Sequence, residues 1–468
     1  MRLGLTAHQA LVLAVLVGSS LGVHAGCGAE APETESEADG RDNRATSGDE
    51  VTGRNAAPST TPSPAEQRVI DDLARAAERI RGLEFTVPVQ VSVQDQAAIV
   101  HYLTSELEEE DLELSHDVYF GLGLIPRDLD IRDLLERVLG EQVVGYYDPE
   151  VDRLVIRDDV MRALGRGDTR EGIDESRATI VHELVHALQD QRLGLGDRFE
   201  EDDRDTDPEA AFHAVIEGDA TLAMIGYVME SQGARLEMVT ARPDLLAQLL
   251  SGAAPMSDDE LGTAPAILRV TLLSSYVDGL VFAARLHGIG GFDAVNDANR
   301  TPPVSTEQIL HPERYLRGEL PDEVTLPAFS HLEDAGLAPI EEDTLGELEM
   351  KVYLGQLEET GVLPAAADGW SGDRLRVYRQ VDDGNGDAGA AACIWFTAWD
   401  DVAEAREAEA AAKRIVEAAP RAEQRRHRVE RIGRGMLIVR HLDQSLHSPI
   451  REAFRAFAHG LPGSPPTR

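Results

Sequence analysis

The stretch ATIVHELVHALQDQ, Ala178 to Gln191, constrains this chain more than any other. Ile180, Val181, Leu184, Val185 and Leu188 recur at helical period, so the segment must lay one stripe against a core. Asp174 or Ser176 offers the side-chain oxygen that caps such a start. Residues four apart lie one above the other on a helix, so His182 and His186 present their imidazoles from a single face. Two imidazoles so placed reach one zinc ion at about 2.0–2.1 Å. Glu183, turned by about 100°, comes to the open side of such a metal. There a carboxylate can take a proton from water that the metal has made acidic. With 14 histidines in 468 residues, chance yields about 0.04 such matches per chain. The spacing therefore reads as a metal-binding helix, not as an ordinary amphipathic one.

A hydrolytic zinc site takes three protein ligands and leaves the fourth position open. Glu217, in FHAVIEGDATL, follows His186 at a distance that allows a loop and a helix returning antiparallel, which would bring its carboxylate to the metal. His213 and Asp219 are rival donors in the same stretch. Asp219 is also placed to hydrogen-bond a ligand histidine and fix its tautomer. Cleavage of an acyl bond further needs a donor for the developing oxyanion, and Tyr276, His287 and His311 are the candidates.

The rest of the chain bounds the setting. Asp and Glu total 85 against 44 Lys and Arg, a formal charge of −41. Such a surface repels phosphate backbones and anionic headgroups, which argues against nucleic-acid binding and against direct membrane association. Residues 1–27 read as an export signal, with one arginine, an apolar stretch from Ala10 to Val17 and small residues before a cysteine. VHAGC resembles a lipoprotein signal, in which Cys27 becomes the acylated N-terminus; cleavage after Ala25 is the competing reading. Membrane contact is then expected through the lipid anchor alone. Residues 28–64, acidic and rich in Pro, Ser and Gly, read as a disordered tether. Cys393 lies among apolar residues and reads as a small buried hydrophobe, so no disulfide framework is expected.

Patterning gives an α+β fold in two parts. Residues 65–340 form a mainly helical domain with a small edge sheet, and 341–461 a C-terminal α+β module. In the first part EQVVGYYDPEVDRLVIRDD reads as a hairpin around Asp148-Pro149-Glu150. Asp203, Asp205 and Asp207 have the spacing of a calcium loop, but Pro208 and Ala214 stand where such a loop needs Gly and Glu, so a solvated acidic loop is expected. In the second part RLRVYRQV, ACIWFTAWD and GMLIVRHL are strand-like, with a strong helix between the last two.

HELVHALQDQ followed by AVIEGDAT resembles the gluzincin group of zinc metallopeptidases. VVGYYDPEVDRLVI, PPVSTEQILHPERYL and GWSGDRLRVYR resemble bacterial secreted proteins of that type. The resemblance implies a zincin-like catalytic domain, one Zn2+ per chain held by His182, His186 and Glu217, Glu183 as general base, and a peptide or protein substrate. It also implies that LVIRDD, ahead of the catalytic helix, is the sheet edge to which substrate adds. Thermolysin-like members carry an aspartate where this chain has Thr221, a departure from the family pattern that counts against carrying the supporting role over to Asp219. The alternative is an envelope lipoprotein that keeps the fold, and perhaps the zinc, as a binding scaffold without catalysis.

Overall fold

A computed structural model describes residues 59–105, 107–168, 171–196, 204–251, 259–358, 364–381 and 391–462. The expected signal, Cys27 and Asp203 lie outside these residues, as does most of the expected tether. Order begins a few residues earlier than patterning indicates. Thr60 exchanges backbone hydrogen bonds with Val93, and Ser63 caps the first helix in a capping box with Glu66.

The first part contains α1 (Pro64–Arg81), β1 (Gln90–Gln94), α2 (Gln96–Ser105), α3 (Glu109–Leu122), α4 (Ile131–Gln142), β2 (Gly145–Asp148), β3 (Arg153–Arg157), α5 (Asp158–Gly165), α6 (Glu171–Leu193), α7 (Thr206–Ser231) and α8 (Ala266–Arg300). The second contains β4 (Leu337–Asp343), α9 (Gly346–Leu354), β5 (Trp370–Gln380), β6 (Ala392–Trp399), α10 (Val402–Ala418), β7 (Arg428–Ile432), β8 (Gly435–Arg440) and α11 (His447–Gly460). The α+β class expected from patterning is the observed one.

The small sheet has the order β1-β3-β2, with β1 parallel to β3 and β2 antiparallel to it. The hairpin forms as expected, but its edge is the other strand. LVIR lies in the middle, because β1 occupies its second side, and β2 is the edge strand. Helix α6 starts at Glu171, so Asp174 and Ser176 lie inside it; Ser176 bonds back to the Gly172 carbonyl instead of capping.

The five-stranded antiparallel sheet has the order β4-β5-β6-β8-β7. Side chains alternate across a strand. In β6, Cys393 and Trp395 face a cluster with Ala405, Ala408 and Ala412 of α10, while Ile394 and Phe396 face Ile450 and Phe454 of α11. Burial on both faces explains why ACIWF reads as a continuous apolar run. The Cys393 side of this sheet also packs on the first part. Ile99, Leu103, Val118, Leu134 and Leu139 belong to one cluster with Tyr353, Trp370 and Trp395, so the stretches either side of residue 340 share a core.

Among the described residues one helix, α8, is long and apolar enough to cross a membrane. It breaks at Gly290 and Gly291, and its first part crosses α7 at backbone contact. A Cβ on Gly218 would lie 2.1 Å from the Gly279 oxygen, and one on Gly279 would lie 2.2 Å from the Ala214 oxygen. Only two glycines facing each other allow that approach. The crossing sits beside Glu217.

Candidate metal centre

Helices α6 and α7 bring the three expected donors together. His182 Nε2 lies 3.0 Å from Glu217 Oε2 and 3.0 Å from His186 Nε2, and His186 Nε2 lies 3.5 Å from Glu217 Oε2. Tetrahedral zinc with bonds near 2.05 Å separates its ligand atoms by about 3.3 Å. The observed triangle brackets that edge, so these residues fit a single zinc-sized cation. All three side chains are buried.

The two imidazoles are held differently. Gln189 Nε2 donates to the Ile216 carbonyl at 3.0 Å and to Asp219 Oδ2 at 2.9 Å, both of which can only accept. Gln189 Oε1 therefore faces His186 Nδ1, 2.9 Å away, and that nitrogen must carry the hydrogen. In the neutral, ligating form of the ring the lone pair of His186 is then left at Nε2, toward the cluster. His182 has no such partner among the described residues: its Nδ1 is buried and unbonded, and its ring stacks on Tyr276 at 6.0 Å and 24°.

Asp219 thus supports the site one step further out than expected, because Gln189 stands between it and His186. Its own charge is met by Arg81 from the end of α1. Arg81 Nε pairs with Asp219 Oδ1 at 2.8 Å, and Nη2 donates to Asp219 Oδ2 at 2.9 Å and Asn296 Oδ1 at 2.8 Å. Asn299 Nδ2 donates to the same carboxylate at 3.1 Å. Both members of the ion pair have fully buried side chains. Thr221 is buried and takes no part in this network.

Glu183 accepts the Tyr147 backbone N–H of β2 at Oε2, 2.9 Å away, while its Oε1 is buried with no hydrogen-bond partner among the described residues. Burial raises the Glu183 pKa, against the nearby imidazoles. Burial pushes against charge on His186 and Glu217 too, but each offsets it for the other: Glu217 raises His186 to about 9, and the imidazoles lower Glu217 to about 2. An ionised carboxylate among imidazoles is a donor set suited to a divalent cation.

Of the three oxyanion-donor candidates, only Tyr276 is at the site. Its hydroxyl is buried beside Glu217, and burial, the charges of Glu217 and Glu183 and the contact with Glu217 hold its pKa well above the usual phenol value. His287 meets Thr240 and His311 meets Glu347, at 3.1 and 3.0 Å. The rival ligand His213 pairs with Glu209 at 3.2 Å.

The described end of the acidic stretch, from residue 204, is not a solvated loop. Asp207 is buried and accepts from Thr306 N and Oγ1 at 2.7 and 2.6 Å, and Asp205 pairs with Arg374. These residues tie the start of α7 to the second part of the chain.

Patterning missed Gln189, Arg81, Asn296, Asn299 and the Tyr147 amide. Gln189 was findable, three residues after His186 on the same helix face. The others come from distant segments and carry no local signal.

A family model described as a domain of unknown function (DUF8575) matches residues 336–445, the span from β4 to β8. No curated protein matches the chain. A solved chain from Chloroflexus aurantiacus, described as a candidate hydrolase with a novel fold, is similar over 54% of this chain and 88% of its own, at 17% identity and a TM-score of 0.30. A likeness that slight assigns neither fold nor activity.

Proposed function

We propose that this chain is a zinc-dependent peptidase of gluzincin type, exported and held at the cell envelope through a lipid on Cys27. The observation that carries the reading is the triangle of His182, His186 and Glu217 at tetrahedral ligand spacing, with an unpaired Glu183 oxygen beside it. Zinc held by these three residues would supply Lewis acidity toward a peptide carbonyl and would make water a stronger acid.

The chain's own groups perform the rest. The Tyr147 amide occupies Glu183 Oε2, which leaves Oε1 to accept the proton of the attacking water. Burial strengthens this carboxylate as a base, and the same oxygen then returns the proton to the leaving amine. The Tyr276 hydroxyl, buried beside Glu217, donates to the carbonyl oxygen as charge develops on it. The Gln189–Asp219–Arg81 chain keeps His186 in the ligating tautomer.

The test is metal analysis of the purified mature protein together with hydrolysis of an unfolded protein substrate. One equivalent of zinc, lost in His182→Ala, with cleavage that a chelator stops, supports the proposal. Zinc without cleavage of any peptide favours the non-catalytic scaffold, and no bound metal removes the peptidase reading. The mass of the mature N-terminus decides the lipid on Cys27.

A further inference from the structure

Glu217 and Tyr276 also line a cavity beside the metal-ligand cluster, bounded by α3, α4, α7, α8 and α9. Its walls are largely aliphatic, from Leu112, Ile131, Leu135, Leu268, Leu272 and Leu348. Two carboxylates among these walls are not used by the mechanism, Glu209 and Glu349, and Glu209 is already paired with His213 and Arg204. Glu349 is 3% exposed; Tyr119 donates to its Oε1 at 3.0 Å, and its Oε2 is buried with no hydrogen-bond partner among the described residues. An acceptor left unpaired in an apolar space is costly, and a charged one more so.

Resting on the peptidase reading above, we infer that this cavity is the specificity pocket and that it takes a lysine or arginine side chain of the substrate. The methylene stem lies along the leucine walls and the cationic end meets Glu349 Oε2. Long basic side chains have this division, an apolar stem and a charged tip. A purely aliphatic side chain would fill the walls and leave the Glu349 oxygen unsatisfied, which is the situation in which a pocket discriminates most strongly. The local field favours the same occupant: burial, then the charges of Asp343, Asp373 and Asp207, raise the Glu349 pKa to about 8. A cation is what relieves that field.

The experiment uses the full mature chain loaded with zinc and paired peptides that differ only in lysine against norleucine, which has a similar stem and no ammonium group. The pair is scanned through the positions on each side of the cleaved bond. At one position kcat/KM for lysine exceeds that for norleucine at least tenfold, and in Glu349→Gln the ratio falls to near one. Both rates come from one preparation, so incomplete folding of the variant cancels from the ratio. Equal wild-type rates at every position, or a ratio that survives Glu349→Gln, overturn the inference.

If no peptide is cut, the peptidase reading fails on its own terms and binding decides the pocket. The same peptides are then titrated calorimetrically into zinc-loaded Glu183→Gln protein. Tenfold tighter binding of the lysine peptide supports the pocket, and equal binding of the two overturns it.

Discussion

At the scale of single residues, the chemistry depends on a few atoms whose partners are fixed by others. Glu183→Gln keeps the Tyr147 hydrogen bond and removes the base, so zinc content should stay at one equivalent while kcat falls by about 10²–10⁴. Metal analysis beside peptide turnover checks this, and full activity would sink the assignment. Tyr276→Phe removes the buried hydroxyl beside Glu217 and should lower kcat by about 10²–10³ with little change in KM. Gln189→Leu frees the His186 ring from its hydrogen-bonded orientation and should weaken zinc binding by about 10–100-fold, read by competition with a chelator. The convergence of the three candidate ligands and the candidate base was legible because helical periodicity and chain reversal place them with little freedom. Arg81 was not, since 138 positions separate it from Asp219 and neither neighbourhood signals the other.

At the scale of elements, the candidate metal centre depends on how closely α7 and α8 cross. Gly218 and Gly279 let the two backbones touch, and Tyr276 and Glu217 sit on the two sides of that contact. Gly279→Ala must separate the helices, since its Cβ would meet the Ala214 carbonyl. We expect a loss of about 1–3 kcal/mol in stability, as for other overpacked sites, together with weaker zinc binding. Thermal melts with and without zinc read both, and an unchanged zinc-induced shift would contradict the coupling. Helices were well signalled by their periodicity. Strand partnership was not: β1 alternates visibly, but nothing local shows that it pairs parallel to β3 and turns β2 into the edge. Asp373 illustrates the same limit. It sits at what reads as a simple turn into a strand, yet it accepts from the Leu345 and Gly346 amides and from the Trp370 and Trp395 indoles.

Across the whole molecule, carboxyls are buried where the two parts of the chain meet. Burial raises Glu307 and Glu349 to about 8 and Asp343 to about 7. A carboxyl whose folded pKa is raised contributes stability that is complete below its unfolded value, about 4, and is lost as pH rises through the folded one. The Tm of metal-free protein should therefore fall between pH 5 and 8, and Glu349→Gln should flatten part of that fall. A Tm that holds level or climbs across the range contradicts this. Composition announced the acidity, but the interior position of these groups emerges only from the shared core. The Arg81–Asp219 pair has a consequence for trimming from the front. A cut ahead of Thr60 keeps the Thr60–Val93 pairing and the Ser63 cap, whereas a cut just behind Arg81 that releases α1 would strand a buried aspartate charge, a loss of about 3–5 kcal/mol. Shedding and silencing would then be separate events, decided by which side of one short helix a protease reaches.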